Sequence, residues 1–441
     1  MRVLMFGWEF PPHIAGGLGT ACYGMTRGLA RNDVEVIFVM PRASGDEDER
    51  FVKVINASDI EARYSTGSTV EGADDIMRKI SFIHIDSNMV PYISPEEWDT
   101  YREEYERTGR KIWEREGDSW TQRYTFSGKY GANLMEEVAR YAVVAAEVAR
   151  QLEGQFDVIH AHDWLTYFAG IAAKRVSGKP LVVHMHATSF DRSSSDNIDT
   201  RVYEIERAGM AAADRVIAVS NLTRNIVIEK YNIPAERVVT VHNAVRFVNS
   251  DMEAPERGVE DKIVTFLGRI TFQKGPDYFV EAAAKVLKRV PNVRFVMAGS
   301  GDMMNHVIRR VARLGIADRF HFTGFLKGDD VHKMFQLSDV YIMPSVSEPF
   351  GISPLEAMRA NVPVIISKQS GVAEVLDYAV KVDYWDVDAM ADAIYGFVKY
   401  PALSKMFAEK GLEEVTGLKW NNAAAKIKDV YQDAINESDK K

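Results

Sequence analysis

Short apolar runs rich in β-branched residues alternate along the chain with longer amphipathic stretches of helical periodicity. The first runs are residues 3–6 and 34–39, and the stretch between them is predicted to be a helix that ends near Arg31. Parallel strands need long crossover connections, usually helices, so this alternation is typical of a parallel sheet. The chain is therefore predicted to have an α/β fold.

The alternation occurs twice, on either side of a polar stretch at residues 246–261. Strands are predicted first at residues 3–6, 34–39, 157–162, 181–186, 215–219 and 238–241, and then at 263–267, 294–298, 320–322, 340–343, 362–366 and 380–382. The polar stretch lacks apolar periodicity, which is typical of a linker, and 441 residues exceed the usual size of a single core. We expect two Rossmann-like, doubly wound domains facing a cleft, residues 1–245 and 246–441, with the last helix at about residues 421–436.

The segment at about residues 97–130 interrupts the pattern of the first domain. It is charged and aromatic without clear periodicity, and Trp113, Trp120 and Tyr124 stand among acidic residues. We interpret the segment as an insertion. Exposed aromatic rings among acids suit carbohydrate binding, and a helical cap over the domain is the alternative.

Composition narrows the class of protein. Apolar residues make up 46% of the chain and charged residues 27%, as in ordinary globular proteins. The 54 basic and 63 acidic residues give a net charge of −9, which argues against a nucleic-acid partner, because binding a phosphate backbone needs a basic surface. No apolar run approaches the length of a membrane span, and the single cysteine, Cys22, excludes a disulfide framework. We therefore expect a cytoplasmic protein without a membrane span.

The sequence after residues 340–343 predicts a strand, a sharp turn and a helix. Gly351 and the proline before it suit the turn, Ser353 is predicted to be the N-cap of the helix, and Glu356 is predicted to complete a capping box. A helix that starts at the carboxyl end of a strand offers free N–H groups to an anion such as a diphosphate. Glu348 and Glu356 then frame the turn and can hold polyols. Alternatively, Glu356 only caps its helix and Glu348 is a solvated loop charge.

The loop after the first strand of the second domain carries two cations. Arg269 and Lys274 lie between Gly268 and Gly275 and emerge at the same sheet edge as Glu348. An arginine fork and a lysine charge suit a diphosphate and stabilise negative charge on a departing nucleotide. Taken alone, such a pair is also common on solvated surfaces.

A glycine loop follows the first strand of the first domain, so a dinucleotide site must be tested. The segment that begins at Gly16 and Gly17 places Cys22 where the dinucleotide fingerprint requires glycine or alanine, and the second strand ends without an acid for a ribose. A nicotinamide cofactor is therefore disfavoured. The loop more simply lets another ligand approach the backbone closely.

Four histidines fall near the ends of two strands of the first domain. His160 and His162, like His184 and His186, are two residues apart and therefore share one face of each strand. A metal site is one interpretation, and buried histidines that bond to their neighbours are the favoured one. Asp163 and His186 lie at the carboxyl ends of the strands, where a cleft is expected.

Taken together, these motifs resemble the retaining nucleotide-sugar glycosyltransferases of GT-B fold, and most closely the glycogen and starch synthases. The resemblance rests on the two glutamates with seven residues between them, the Arg269 to Lys274 loop, the Gly16-Gly17-Leu18 loop, His186-Ala-Thr and Asp163-Trp164. It covers nearly the whole chain and implies a last helix that crosses back onto the first domain through Trp420 and Tyr431.

The resemblance also implies roles for the second domain. Arg269 and Lys274 would hold the donor phosphates, and Glu356 would meet the ribose. The donor sugar would face Glu348 and the turn formed by Gly351, Ile352 and Ser353.

In the first domain the resemblance implies that Asp163 and His186 face the reacting centre, with Gly16 and Gly17 near the phosphates. No metal is expected at the diphosphate, because the acidic pair Asp386 and Asp388 stands at a helix start, where N-capping explains it.

The implied activity is the transfer of glucose, with retained anomeric configuration, from ADP-glucose or UDP-glucose to the non-reducing end of an α-1,4-glucan. Three departures from bacterial glycogen synthases keep a small sugar, sugar-phosphate or lipid acceptor open as the alternative. Ile14 and Ala15 replace the usual Lys-Thr, Leu165 replaces a histidine, and Glu356 is usually absent. A glycoside hydrolase and a non-catalytic sensor are rival hypotheses, and the base of the nucleotide and the oligomeric state stay open.

Overall fold

The computed structural model describes residues 1–12, 17–65, 113–116, 119–124, 126–127, 134–193, 198–245 and 255–440. Its strands are β1 Arg2–Phe6, β2 Glu35–Met40, β3 Lys53–Asn56, β4 Glu61–Ser65, β5 Trp113–Glu116, β6 Ser119–Arg123, β7 Val158–His162, β8 Leu181–Met185, β9 Arg215–Ala218, β10 Val238–Thr240, β11 Lys262–Leu267, β12 Val293–Ala298, β13 Phe320–Gly324, β14 Val340–Met343, β15 Val364–Ser367 and β16 Val380–Val382. Its helices are α1 Gly17–Ala30, α2 Leu134–Gln151, α3 Trp164–Ser177, α4 Ser189–Arg192, α5 Thr200–Ala212, α6 Asn221–Tyr231, α7 Pro276–Leu287, α8 Met304–Arg313, α9 Asp329–Leu337, α10 Ser353–Arg359, α11 Val387–Lys399, α12 Pro401–Gly417 and α13 Trp420–Ser438.

Two parallel sheets organise the described chain. The first has the strand order β10-β9-β8-β7-β1-β2-β3, and the second has the order β13-β12-β11-β14-β15-β16. Within each sheet every registered pair is parallel. In both sheets the order reverses beside the first strand, which makes them doubly wound. The predicted α/β class is confirmed, and the predicted division at residue 245 lies between β10 and β11.

Helices cover both faces of the first sheet, so its central strands are buried throughout. On β7, Ile159 and Ala161 belong to the core on one face, whereas Val158 belongs to the core on the other face. The period of two therefore places His160 and His162 on the face of Val158. That face is packed against α1 and α13.

The last helix, α13, packs against the first sheet and α1. Trp420 and Tyr431 belong to the same buried cluster as residues of β1, β2 and α1. A Cβ built on Gly24 of α1 would lie 2.3 Å from the Trp420 ring, and one on Gly28 would lie 2.6 Å from the Trp420 carbonyl oxygen. The glycine face of α1 therefore allows α1 and α13 to approach each other closely.

A third, antiparallel sheet has the order β4-β6-β5. Its strands β5 and β6 come from the predicted insertion at residues 97–130, where the described part is β-strand rather than a helical cap. Trp113 is the first residue of β5, and Trp120 lies in β6 opposite Arg115 of β5. Tyr124 follows β6 and is half-buried, and residues 97–112 of the predicted insertion lie outside the described residues. Among the described helices, none is long and apolar enough to cross a membrane.

Candidate functional site

The carboxyl edge of the second sheet brings Lys274 and Glu348 into an ion pair. The lysine ammonium contacts Oε2 of Glu348, and the Ser345 hydroxyl lies 3.4 Å from the same oxygen. Glu348 is 8% exposed. The two loops that carry the pair are joined to each other, because Val346 N–H donates to the Gln273 carbonyl at 2.8 Å and the Gln273 amide donates to the Ser347 carbonyl at 3.1 Å. The sequence predicted a shared edge, and the structure adds the direct contact.

The backbone of Glu348 is also held by the segment that follows β15. Its N–H donates to the Gln369 carbonyl at 3.0 Å, and its carbonyl accepts from Gly371 N–H at 2.9 Å. Gly351 then turns the chain with a φ of 100°, a conformation that favours glycine. A Cβ at this position would also lie 3.2 Å from Cγ of Glu348. Glycine is therefore favoured by the φ of the turn, and a larger residue would also crowd the Glu348 side chain.

The predicted capping box is wrong. Ile352 occupies the N-cap position of α10, and Ser353 is already the first helical residue. The phenol of Tyr341, which rises from β14 below, donates to the Ser353 hydroxyl at 2.8 Å. Burial raises the pKa of Tyr341 far above its ordinary value, so the phenol stays protonated and remains a donor. Glu356 N–H bonds to the Ile352 carbonyl at 3.2 Å, and burial raises the pKa of the Glu356 carboxyl although Arg359 opposes the shift.

Arg269 is exposed at the start of the loop that ends in Lys274. The glycine turn at residues 299–301 packs directly against this loop. A Cβ on Gly299 would lie 1.8 Å from the Gly268 carbonyl oxygen, and one on Gly301 would lie 2.3 Å from that of Ile270. These glycines let two backbones meet and thereby support the loop that carries both cations.

In the first sheet, Asp163 holds the segment that follows β8. Its carboxylate accepts from His186 N–H at 2.7 Å and from Ala187 N–H at 3.4 Å, and the residue is 7% exposed. Burial raises the pKa of Asp163 to about 6, while nearby Arg192 and the two N–H donors oppose the shift. The contacts of Asp163 are those of a residue that orients His186.

The four histidines form one cluster beneath α13. His162 Nδ1 lies 3.0 Å from His186 Nε2, and His160 Nδ1 lies 2.5 Å from the Tyr431 hydroxyl. The rings of His184 and His186 stack with centroids 4.3 Å apart. Burial lowers the pKa of His186 to about 3, so its ring is neutral and can act as a hydrogen-bond donor to a bound sugar.

Part of this cluster has the composition of a metal site. Ligand nitrogens of His160, His162 and His184 lie within 4.8 Å of one another, and both His184 nitrogens lack a hydrogen-bond partner among the residues that the structure describes. Tetrahedral zinc would hold such nitrogens about 3.4 Å apart. The rings would have to converge to bind an ion, and the expectation that no metal is needed stays a prediction.

Two contacts that the sequence did not predict join the part of the site in the first domain, around His186, to the part in the second domain, around Glu348. The Ser347 hydroxyl donates to Oδ1 of Asp191 at 2.6 Å. The other oxygen of Asp191 accepts from both the N–H and the hydroxyl of Thr188 at 2.7 Å, in a capping box that starts two residues after His186. The Thr-x-x-Asp spacing was the available signal. Through this contact the His186 segment is hydrogen-bonded to the residue before Glu348.

Glu374 provides the second contact between the halves. Its carboxylate accepts from the N–H groups of Asn221 and Leu222 at the start of α6, at 2.9 and 2.8 Å, and lies 2.8 Å from His242 Nε2. Burial raises the pKa of Glu374, but the hydrogen bond from His242 and those from the helix start outweigh burial, and the net shift is downward. The carboxylate therefore stays charged at the positive end of a helix.

The glycine loop of the first domain is only partly described. Gly16 lies outside the described residues, and Gly17 is the first residue of α1. Gly19 N–H donates at 3.1 Å to the carboxylate of Glu9, which is 6% exposed. Glu9 is a buried acid at the carboxyl end of β1 that the sequence reasoning missed, and its place just before two prolines was the only hint.

Two family models match the chain. The model described as "Starch synthase catalytic domain" matches residues 2–240, and the one described as "Glycosyl transferases group 1" matches residues 248–414. An uncharacterized glycosyltransferase of Methanocaldococcus jannaschii is 27% identical over 460 residues, covering 99% of each chain. A D-inositol 3-phosphate glycosyltransferase of Salinispora tropica is 28% identical over 71% of this chain and 73% of its own. A glycogen synthase of Mycobacterium tuberculosis is 22% identical over 98% of this chain and 94% of its own.

Solved structures agree on the fold. Sucrose-phosphate synthase from Thermosynechococcus elongatus superposes with a TM-score of 0.69 at 17% identity, covering 99% of each chain. The catalytic domain of starch synthase IV from Arabidopsis thaliana, bound to ADP and acarbose, gives 0.66 at 15% identity, again over 99% of each chain. The first family model alone covers more than half of the chain. The protein therefore belongs to the starch synthase catalytic domain family, within the glycosyltransferases of GT-B fold.

Proposed function

We propose that the protein transfers glucose, with retained anomeric configuration, from ADP-glucose or UDP-glucose to the non-reducing end of an α-1,4-glucan. The observation that carries this proposal is the ion pair of Lys274 with the buried carboxylate of Glu348, linked through Ser347 and Asp191 to the His186 segment. A hydrolase would have no need of the two cations of this loop, Arg269 and Lys274. Similarity to a glycogen synthase over nearly the whole chain favours the glucan acceptor.

In this proposal the donor diphosphate takes over the contacts of Lys274. Arg269 and Lys274 bind its oxygens, and Glu348, released from its ion pair, faces the sugar. Glu356 meets the ribose, and the turn formed by Gly351, Ile352 and Ser353 faces the sugar together with Glu348. Gly16 and Gly17 approach the same phosphates from the first domain.

The transfer itself exchanges one bond at C1 of glucose. The acceptor hydroxyl approaches on the face from which the diphosphate departs, the bond from C1 to the phosphate oxygen breaks, and the new glycosidic bond forms. The hydroxyl proton passes to the departing phosphate oxygen, whose negative charge Arg269 and Lys274 stabilise. Neutral His186, oriented by Asp163, donates a hydrogen bond to the sugar. No metal ion takes part in this scheme.

The experiment offers ADP-glucose and UDP-glucose separately to glycogen, maltooligosaccharides and free glucose, and reads linkage and anomeric configuration by NMR. We expect α-1,4-linked elongation of the glucans. A β-linked product would refute the retaining mechanism, and glucan cleavage without a nucleotide would point to a hydrolase.

A small acceptor is the second candidate. The similarity to an inositol-phosphate glycosyltransferase and the replacement of Lys-Thr by Ile14 and Ala15 favour it. Including inositol 3-phosphate and fructose 6-phosphate in the same assay separates the two, since a glucan-specific enzyme leaves both unmodified.

A further inference from the structure

We propose that Trp385, Tyr384 and Tyr278 form an aromatic surface on which the α-glucan acceptor lies as it enters the cleft; the inference rests on the proposed function. Trp385 is 57% exposed, the largest exposure among the large apolar side chains that the structure describes. A single exposed tryptophan is ordinary. Trp385 differs because it packs against two further aromatic rings, and these rings lie beside the loops of the candidate donor site.

The three rings form a continuous row. Tyr384 packs edge-on to Trp385 with centroids 4.8 Å apart and planes at 85°, and Tyr278 packs against Tyr384 at 5.2 Å and 67°. Such edge-to-face contacts fix the rings with respect to one another. Tyr384 N–H also lies 3.4 Å from the side-chain oxygen of Gln369. The exposed indole is thus the outer end of an ordered platform.

The row adjoins both loops of the Lys274 and Glu348 pair. Tyr278 lies in the first turn of α7, and its ring is 3.1 Å from the position that a Cβ on Gly275 would take. At the other end, Gln369 accepts from Glu348 N–H through its carbonyl while its side chain faces Tyr384. The aromatic surface is therefore one hydrogen-bonded residue away from the candidate donor site.

The chemistry around the row suits a sugar chain better than an apolar protein partner. Asp383 accepts from Lys368 at 2.8 Å and from the Gln369 amide at 3.0 Å, immediately beside the rings. A pyranose presents C–H groups on its face and hydroxyls around its edge, so it can stack on a ring and bond to such groups. Glucose units behind the reacting end are the natural occupants, because the row extends from the donor loops to the surface.

The test compares Trp385→Ala and Trp385→Phe with Tyr400→Ala, which removes an aromatic side chain of similar exposure, 55%, from the start of α12. Kinetics with the preferred donor give KM for glycogen and for maltoheptaose, and native gels containing glycogen report binding without turnover. We expect Trp385→Ala to raise the glycogen KM by about tenfold, the loss of one good stacking contact, with the phenylalanine variant in between. Tyr400→Ala should match the wild type, and the KM for the donor should be the same in all variants.

Three results would overturn the inference. If the wild type elongates glycogen but Trp385→Ala keeps its KM and its gel retardation, the surface is wrong while the proposed function stands. If the wild type uses only small acceptors, both the proposed glucan synthesis and the glucan-binding surface are refuted. If ultracentrifugation shows that Trp385→Ala dissociates an oligomer without changing the glycogen KM, the rings serve a protein contact instead.

Discussion

The hydrogen bond from Ser347 to Asp191 joins the Glu348 turn to the His186 segment, so removing it should slow transfer more than it weakens donor binding. Asp191 is 1% exposed, and Ser347 is its partner at Oδ1. A hydrogen bond to a charged group contributes about 1.5–3 kcal/mol. If the closed arrangement is the reactive one, Ser347→Ala should lower kcat by roughly 10-fold to 100-fold, since about 1.4 kcal/mol corresponds to tenfold.

The assay measures kcat at saturating donor and the nucleotide Kd by calorimetry for Ser347→Ala, Asp191→Asn and the double variant. The double variant should be little worse than either single one, because both remove the same contact. Ser347→Thr keeps the hydroxyl and should recover most of the rate. Ser58→Ala is the control, because it removes a hydroxyl bond of 2.9 Å to Pro41 away from the site. Retention of kcat within about twofold in Ser347→Ala, or strictly additive losses, would refute this reasoning.

Other predictions concern charge at the site. Lys274→Ala should reduce kcat by at least about 100-fold, because the leaving phosphate loses a cation; near wild-type turnover would exclude that role. Glu348→Gln should abolish transfer but leave the nucleotide Kd, measured by calorimetry, largely unchanged; a collapsed affinity would show that Glu348 serves the nucleotide. Burial raises the pKa of Asp163 from about 3.8 to about 6, so its contribution to the stability of the fold is greatest below pH 3.8 and is lost as the pH rises through 6. Over the same pH range kcat/KM should rise, because the ionised carboxylate orients His186. The pH profile of kcat/KM for Asp163→Asn should lack this rise. Dialysis against EDTA should leave turnover within about twofold, and a loss reversed by added metal would contradict the metal-free mechanism.

The sequence was informative wherever a feature depends on a few consecutive residues. The period of two placed His160 and His162 on one face of β7, and the glycine at 351 marked the turn, because strand pleat and positive φ are local properties. The carboxyl edge shared by Lys274 and Glu348 followed from the alternation of strands and helices, since parallel strands end at the same edge.

The sequence was misleading where two local preferences compete. Ser353 is a good N-cap by residue type, but the phenol of Tyr341 binds its hydroxyl from the strand below, and the helix begins one residue earlier. Contacts between the two domains could not be predicted from the sequence for another reason. The contacts of Glu374 with the start of α6 and of Ser347 with Asp191 depend on how the two sheets are placed relative to each other, which no short stretch of sequence specifies.

These contacts change how the Glu348 turn should be understood. In the proposed function the donor phosphate and sugar replace the ion pair of Glu348 with Lys274, and until then this pair keeps both side chains ordered. The turn is held from the other side by Asp191, in the same segment whose backbone Asp163 orients. We therefore expect donor binding at the Glu348 turn to be coupled to the position of His186 through these hydrogen bonds. The chemistry then belongs to neither sheet alone, because a displacement of either half moves the carboxylate and the imidazole apart.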